Sequence, residues 1–467
     1  MKKILLLLLS ITIFSCATDD PKPEEVVKKT FKGNVFLNTQ IEVDAFAGQK
    51  ITEIDGELNI GNMRTVSDIK DLSGLKRIKT AKAILVINNP LLNSLEGLSG
   101  VTAIKGTGLA ILNNPKIQSL KGFDNLYEIN GTFEIAGNDA LQNLSGVDKL
   151  SIVTNSMFAS NNKSLQSLKG LGGLKEASEG IEISGNEKLV SLEGLESLRK
   201  VGNTLRIAGN NSLETIKGLT NLQSIGNILQ ITENQNLKDI TGLDKLATVD
   251  GDVWIGKNDQ LKNINGLKSL KTIGGSLYLR LNPSLTNLDG LLNLTSIENE
   301  LTITNNSDGA LTNISGLKNV KSNNLTISII GTELANMAGL NGITSAKSIT
   351  LGNNQKLKDL SGLENLTSLT LSFSIYNSPL ENLQALSKLT SIDGNLSISR
   401  TTKLTNLDTL QNLNSVKGSI SLSNNTALTS FCGIKALLLK GLHYDFKTEG
   451  NAFNPTLQDV LDNKCSQ

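Results

Sequence analysis

Apolar residues recur along most of this chain at offsets that close after 24 positions. In residues 277–300, LYLRLNPSLTNLDGLLNLTSIENE, the apolar places are Leu277, Leu279, Leu285, Leu288, Leu291, Leu294 and Ile297, with Asn282 and Gly290 between them. Residues 253–276, VWIGKNDQLKNINGLKSLKTIGGS, repeat the arrangement with Asn258 and Gly266. The Gly step falls at Gly122, Gly146, Gly170, Gly194, Gly218, Gly242, Gly266 and Gly290, seven consecutive intervals of 24. Gly74, Gly97, Gly316, Gly339, Gly362 and Gly433 extend it at intervals of 23 to 26, and Ala385 and Thr409 stand where Gly is lost. That makes 16 coils. The Asn place is filled in 13 of them, with Met63, Thr401 and the coil ending at Gly339 as exceptions. A leucine-spaced period in this range signals a solenoid.

Each offset has a physical task. The L-x-I step alternates, so it predicts a short strand with Leu and Ile facing inward. The Asn falls where the backbone turns a corner, and an inward amide can pair the main-chain groups that the turn leaves open. The L-x-x-L-x-G-L-x-x-L stretch has a three-residue spacing that suits turns and 3₁₀ pieces. Gly there permits a close approach or a positive φ. The expectation is a mainly β chain: a right-handed parallel β-solenoid of 16 coils of about 24 residues, with one short strand per coil and a cap at each end.

These motifs resemble two related families. L-x-x-I-x-x-x-L-x-I-x-x-N-x-x-L is similar to the strand-and-Asn signature of bacterial leucine-rich repeats. GSLYLRLNPSLTNLDGLLNLTSI and GNLSISRTTKLTNLDTLQNLNSV resemble the receptor L domain of growth-factor receptor ectodomains and of fungal and bacterial surface proteins. The resemblance covers roughly residues 35–455 and implies the solenoid architecture; proteins of these families bind many different things.

The ends differ from the repeat. Residues 1–15 read as a signal peptide, with Lys2 and Lys3 before an apolar run. Cys16 after Ile13-Phe14-Ser15 resembles a lipobox, which implies lipidation of Cys16 and a membrane anchor in place of a spanning helix; the plain alternative is an ordinary signal with an incidental Cys. Residues 16–29 carry that Cys and a charged, Pro-containing flexible tether. Asp19 and Asp20 resemble the surface-export signal of some Gram-negative lipoproteins, against the alternative of a solvated linker. Outer-membrane, cell-surface localisation is what that resemblance implies. Residues 30–57 are expected to cap the entry, residues 58–434 to form the solenoid and residues 435–467 to cap the exit. In that exit cap Pro455 precedes a short helical run near residues 456–461. Cys432, at the end of the solenoid, and Cys465, in the cap, are the thiols left besides Cys16, and in an exported chain they are expected to form a disulfide. Two residues are added near Asn306-Ser307-Asp308-Gly309, and LTLSFSIYN at 369–377 shifts its alternation by one.

Charge and chemistry exclude more than they assign. Without Lys2 and Lys3 the chain has 45 − 2 = 43 basic against 44 acidic residues, a balance that gives no support to a nucleic-acid partner or an anionic membrane surface. His443 is the sole histidine, which excludes a multi-His metal site and a His-dependent triad. Acidic residues such as Glu182, Glu193, Asp239 and Asp289 show no repeated pairing of the kind glycosidases use. Neither a cofactor nor a metal is expected, and the chain is read as a monomeric non-enzyme.

Recognition is expected on the sheet face. The middle residue of each L-x-I strand points outward, giving the column Asn59, Leu85, Ala110, Glu134, Phe158, Glu182, Arg206, Gln230, Trp254, Tyr278, Thr302, Thr326 and Thr350. At about 4.8 Å per coil the ladder runs roughly 75 Å. Its centre is aromatic and charged and its C-terminal part is Thr/Ser. Phe158, Arg206, Gln230, Trp254, Tyr278 and Arg280 are therefore the candidate binding residues, since Trp, Tyr and Arg are frequent interface anchors. The expected function is a surface-anchored binding or adhesion protein that recognises a protein or glycan. A structural spacer of the envelope and a polysaccharide-active enzyme are the alternatives.

Overall fold

The computed structural model describes residues 28–305, 309–440 and 445–467. The signal segment, Cys16, all but the last two tether residues, residues 306–308 of the irregular loop and His443 lie outside the described residues. The chain is mainly β and winds as a parallel β-solenoid with coils of about 24 residues. Each L-x-I strand pairs with its equivalents one coil away. Leu205–Ala208 lies beside Leu229–Thr232, and Val253–Gly256 beside Leu277–Arg280, all parallel and in register. Both expected caps contribute strands to this ladder, which begins at Val35–Leu37 and ends at Phe446–Glu449.

One strand per coil was too few. Most coils carry a second, shorter parallel strand at the x-x-I end; Lys200–Val201, for example, pairs with both Glu176–Ala177 and Ser224–Ile225. In coils toward the two ends the short and long strands fuse into one, as in Glu53–Gly61, Thr80–Ile87 and Ser345–Gly352, with a register shift at the join. The physical reason is pairing: backbone that leaves the Ile already extended would be buried with open N–H and C=O groups unless the next coil met it. A two-residue strand is too short to show alternation.

The turns are as the spacing predicts. Short 3₁₀ pieces such as Lys217–Leu219, Asn265–Leu267 and Asp289–Leu291 occupy the Gly stretch. Gly serves two purposes there. Gly242 has φ +123°, whereas Gly266 lacks a positive φ but lies so close to the preceding coil that a Cβ would stand 1.9 Å from the Ile240 carbonyl oxygen. Within one coil Leu229, Ile231, Leu237, Ile240, Leu243 and Leu246 are all fully buried, each contributing about 1.5–3 kcal/mol of burial. The entry is covered by the helix Gln40–Ala47, which starts with a Thr39–Glu42 capping box and buries Val43 and Phe46. At the exit, Thr456 caps the helix Leu457–Leu461, and Cys432 is bonded to Cys465, 33 residues on.

The Asn places form a buried internal ladder. Asn234 donates through Nδ2 to the carbonyls of Ile207 at 2.9 Å and Thr232 at 3.1 Å. Its Oδ1 accepts the backbone N–H of Asn210 at 3.1 Å, and its own N–H donates to Oδ1 of Asn258 at 3.1 Å. Every coil thus satisfies backbone groups of itself and its neighbours. Where Asn is missing, the hydroxyls of Thr332 and Thr401 donate to Asn354 and Asn425. In the shifted coil the place falls on buried Ser378, in register with Thr401, and not on Asn377. Asn451 of the exit cap continues the ladder by accepting from Asn425.

Candidate functional site

The outward column is continuous through the centre of the sheet. Phe158, Glu182, Arg206, Gln230, Trp254, Tyr278 and Thr302 follow one another in register. The next place belongs to Ser328, however, and not to Thr326, which pairs with Glu300; Thr350 follows Ser328. The strand Thr326–Ile330 buries Ile327 and Ile329, so the L-x-I reading that began at Leu325 was two residues early.

Three of the six candidate residues meet directly. The Trp254 and Tyr278 rings stack with centroids 3.9 Å apart and planes tilted by 32°. The Arg280 guanidinium lies 4.8 Å from the Tyr278 ring centre and 5.6 Å from that of Trp254, within cation–π range. Gly256 stands beside Arg280 in register and supplies no side chain, which leaves space for the guanidinium against the rings. Gln230 and Arg206 extend the cluster along the column. Arg206 donates to Gln230 Oε1 at 3.3 Å, and its Nε lies 3.4 Å from Glu182 Oε1, an ion-pair distance without hydrogen-bond alignment, so Nε has no hydrogen-bond partner. Phe158 stands apart, four strands from Trp254, or about 19 Å at the usual strand spacing.

Two acidic residues hold the rings. Trp254 Nε1 points at Asp252 Oδ2, 3.4 Å away, and Asp252 also accepts the Ser276 N–H at 2.7 Å. The Tyr278 hydroxyl donates to Glu300 Oε2 at 3.2 Å. Burial raises the Tyr278 phenol above its ordinary value; a hydrogen bond with Ser276 works against this, and the charges of Glu300 and Asp252 reinforce it. Beside them Lys257 pairs with Glu233 at 2.7 Å, and the hydrogen bond from Lys257 holds the Glu233 carboxyl below its ordinary value.

The corner row, the residue just before the buried Asn, was not among the expected binding residues. There the backbone is left-handed, and most described coils fill it with Asn or Gly: Asn88, Asn113, Gly137, Asn161, Gly185 and Gly209 in succession. The next three coils hold Glu233, Lys257 and Leu281, with φ of 61°, 55° and 56°. These types rarely adopt such a backbone. Their side chains wall two adjoining depressions. One, of about 350 Å³, also includes Gln230, Trp254, Tyr278 and Arg280. The other, of about 560 Å³, continues round the corner past Gln235, Asp259 and Pro283. The sequence does carry a signal for this row, namely the loss of Asn or Gly immediately before the ladder Asn in four consecutive coils, at Glu233, Lys257, Leu281 and Thr304, the first three of which are left-handed.

Among the described residues, no group of three or more His, Cys, Asp and Glu side chains is placed to hold a metal ion, and no helix is long and apolar enough to cross a membrane. The geometry offers stacked aromatics, a cation over their rings, and two open depressions. The class of protein it defines is a leucine-rich parallel β-solenoid with a built patch on its sheet face. The chain matches no protein-family model and no curated protein. Among solved structures it is similar to an internalin, inlF, from Listeria monocytogenes, at 19% identity and a TM-score of 0.36, over 78% of this chain and 90% of that one.

Proposed function

We propose that this chain is a binding protein that recognises another protein through the central sheet face, held at the cell surface by a lipid on Cys16. The observation that carries the reading is the Trp254–Tyr278–Arg280 cluster, built on rigid paired strands and braced by Asp252 and Glu300. Large aromatics and Arg on a rigid scaffold are the anchors that dominate protein interfaces. A protein partner is favoured over a glycan because the two rings stack on each other, with centroids 3.9 Å apart and planes tilted by 32°. Each covers a face of the other, which leaves mainly ring edges toward solvent and no broad flat platform for a sugar.

Trp254→Ala removes the ring while leaving the inward Val253 and Ile255 in place. Cross-linked capture from cell-surface protein extracts, compared between the parent and this variant, tests the reading. A partner recovered by the parent and lost with Trp254→Ala supports it. Equal recovery by both moves recognition off this face. Anchoring is tested separately: Cys16→Ser releases the chain from membranes on fractionation, and unchanged membrane association refutes the lipid anchor.

A further inference from the structure

Three features of the central coils point the same way, and together they specify what the partner presents. The first is the left-handed corner row: at Glu233, Lys257 and Leu281, three coils in succession, the chain accepts backbone strain that its other described coils avoid with Asn or Gly, Arg400 alone excepted. A strained φ persists only where the surroundings enforce it, and such positions gather at functional sites. The second is that these same residues form the wall shared by both depressions, so the space beside Trp254 and Tyr278 continues round the corner to Leu281 and Pro283. The third is charge. Lys257 is matched by Glu233 and Arg206 by Glu182, whereas among the described residues no carboxylate lies within ion-pair distance of Arg280; its contacts are the two ring systems.

Resting on the protein-binding reading above, we infer that the corner groove takes an extended peptide segment of the partner that carries one carboxylate. Its Asp or Glu carboxylate pairs with the Arg280 guanidinium, and a neighbouring apolar side chain lies on Leu281 and Pro283. A guanidinium fixed against aromatic rings keeps its planar fork free for bidentate pairing with a carboxylate. An extended strand also suits a long open groove, because it lays successive side chains along it. The corner residues make this groove selective, since Gly there would remove the shared wall and Asn would replace its long or apolar side chains with a short amide.

The test is selection of a phage-displayed random dodecapeptide library on the purified full chain, followed by titration of the enriched synthetic peptides. Enriched peptides should carry Asp or Glu beside an apolar residue, and Arg280→Gln should weaken them by tenfold or more. Leu281→Asn should also weaken them by severalfold without lowering the melting temperature, because it exchanges the apolar wall for a polar amide of the same shape while relieving the left-handed strain. A loss of binding that comes with a lower melting temperature would mark Leu281 as structural and overturn its role. Enriched peptides without an acidic residue, or full binding by Arg280→Gln, overturn the carboxylate assignment. If such peptides still lose affinity with Trp254→Ala, the protein-binding reading survives while this inference fails. No enrichment, or binding of oligogalacturonate in place of any peptide, overturns the inference that the groove takes a peptide.

Discussion

The coils running from Asn113 to Gly209 and those running from Glu233 to Leu281 share one interior and differ at one exterior row. Inside, Asn162, Asn186, Asn234 and Asn258 make the same hydrogen bonds to the neighbouring coils within a few tenths of an ångström. Immediately before each lies the left-handed corner, occupied by Asn161 or Gly185 in one region and by Glu233, Lys257 or Leu281 in the other. Backbone geometry is the same, so the fold alone does not require the second set. Regularity inside a solenoid makes departures outside it readable. Apart from Arg400, the departures fall where the aromatic pair, the depressions and Arg280, which has no carboxylate partner among the described residues, also fall.

The comparison can be broken at its shared part first. Asn234→Leu strips the Ile207 and Thr232 carbonyls and the Asn210 N–H of their partner, and buried groups left open cost about 1–3 kcal/mol each. A loss of about 3 kcal/mol or more is expected in urea unfolding, while Gln230→Leu on the outward face should stay within about 0.5 kcal/mol. Similar losses for the two would mean that inside and outside are reversed.

Exchanging the corners is the next largest effect. Asn161→Leu places a branched side chain at φ 54° and should destabilise by about 1 kcal/mol. The reciprocal Leu281→Asn should stabilise by about 0.5 kcal/mol, read as opposite shifts in melting temperature. Two shifts of the same sign would show that left-handed strain does not distinguish Leu from Asn at these corners.

The smallest effect concerns pH. Because the folded chain holds the Tyr278 proton above the ordinary tyrosine value, this contribution to stability is intact below about pH 10 and is lost as pH rises through the folded value. Tyr278→Phe should therefore flatten the fall of stability above about pH 10 in denaturant titrations. An unchanged alkaline slope would place the cause in another group.

Much of this was legible in the sequence, for a physical reason. Strands, 3₁₀ turns and the Asn ladder each repeat every coil, so a weak local preference is restated until the register is unmistakable. The pairing of Cys432 with Cys465 was legible because two thiols remained in the exit region. What escaped was set by backbone conformation or by neighbours. The short second strands carry no alternation of their own. Ser378 in place of Asn377, and Ser328 in place of Thr326, depend on how an irregular coil settles against the next one. Trp254, Tyr278 and Arg280 were identifiable as outward residues, but the tilt of the rings and the seat of the guanidinium over them are set by neighbouring side chains and not by the repeat. The corner row was visible as a pattern and gained meaning only once its positive φ was known.

The central claim is that the patch at Trp254–Leu281 is the contact surface, and site-directed photo-cross-linking tests it most directly. A photoreactive phenylalanine at Gln235, which lines the larger depression, is compared with one at Lys163, an exposed residue of an earlier coil in the same repeat place. After irradiation in cell-surface protein extracts, the account predicts a protein adduct from position 235 and none from position 163. An adduct from position 163 alone, or from neither, would contradict it.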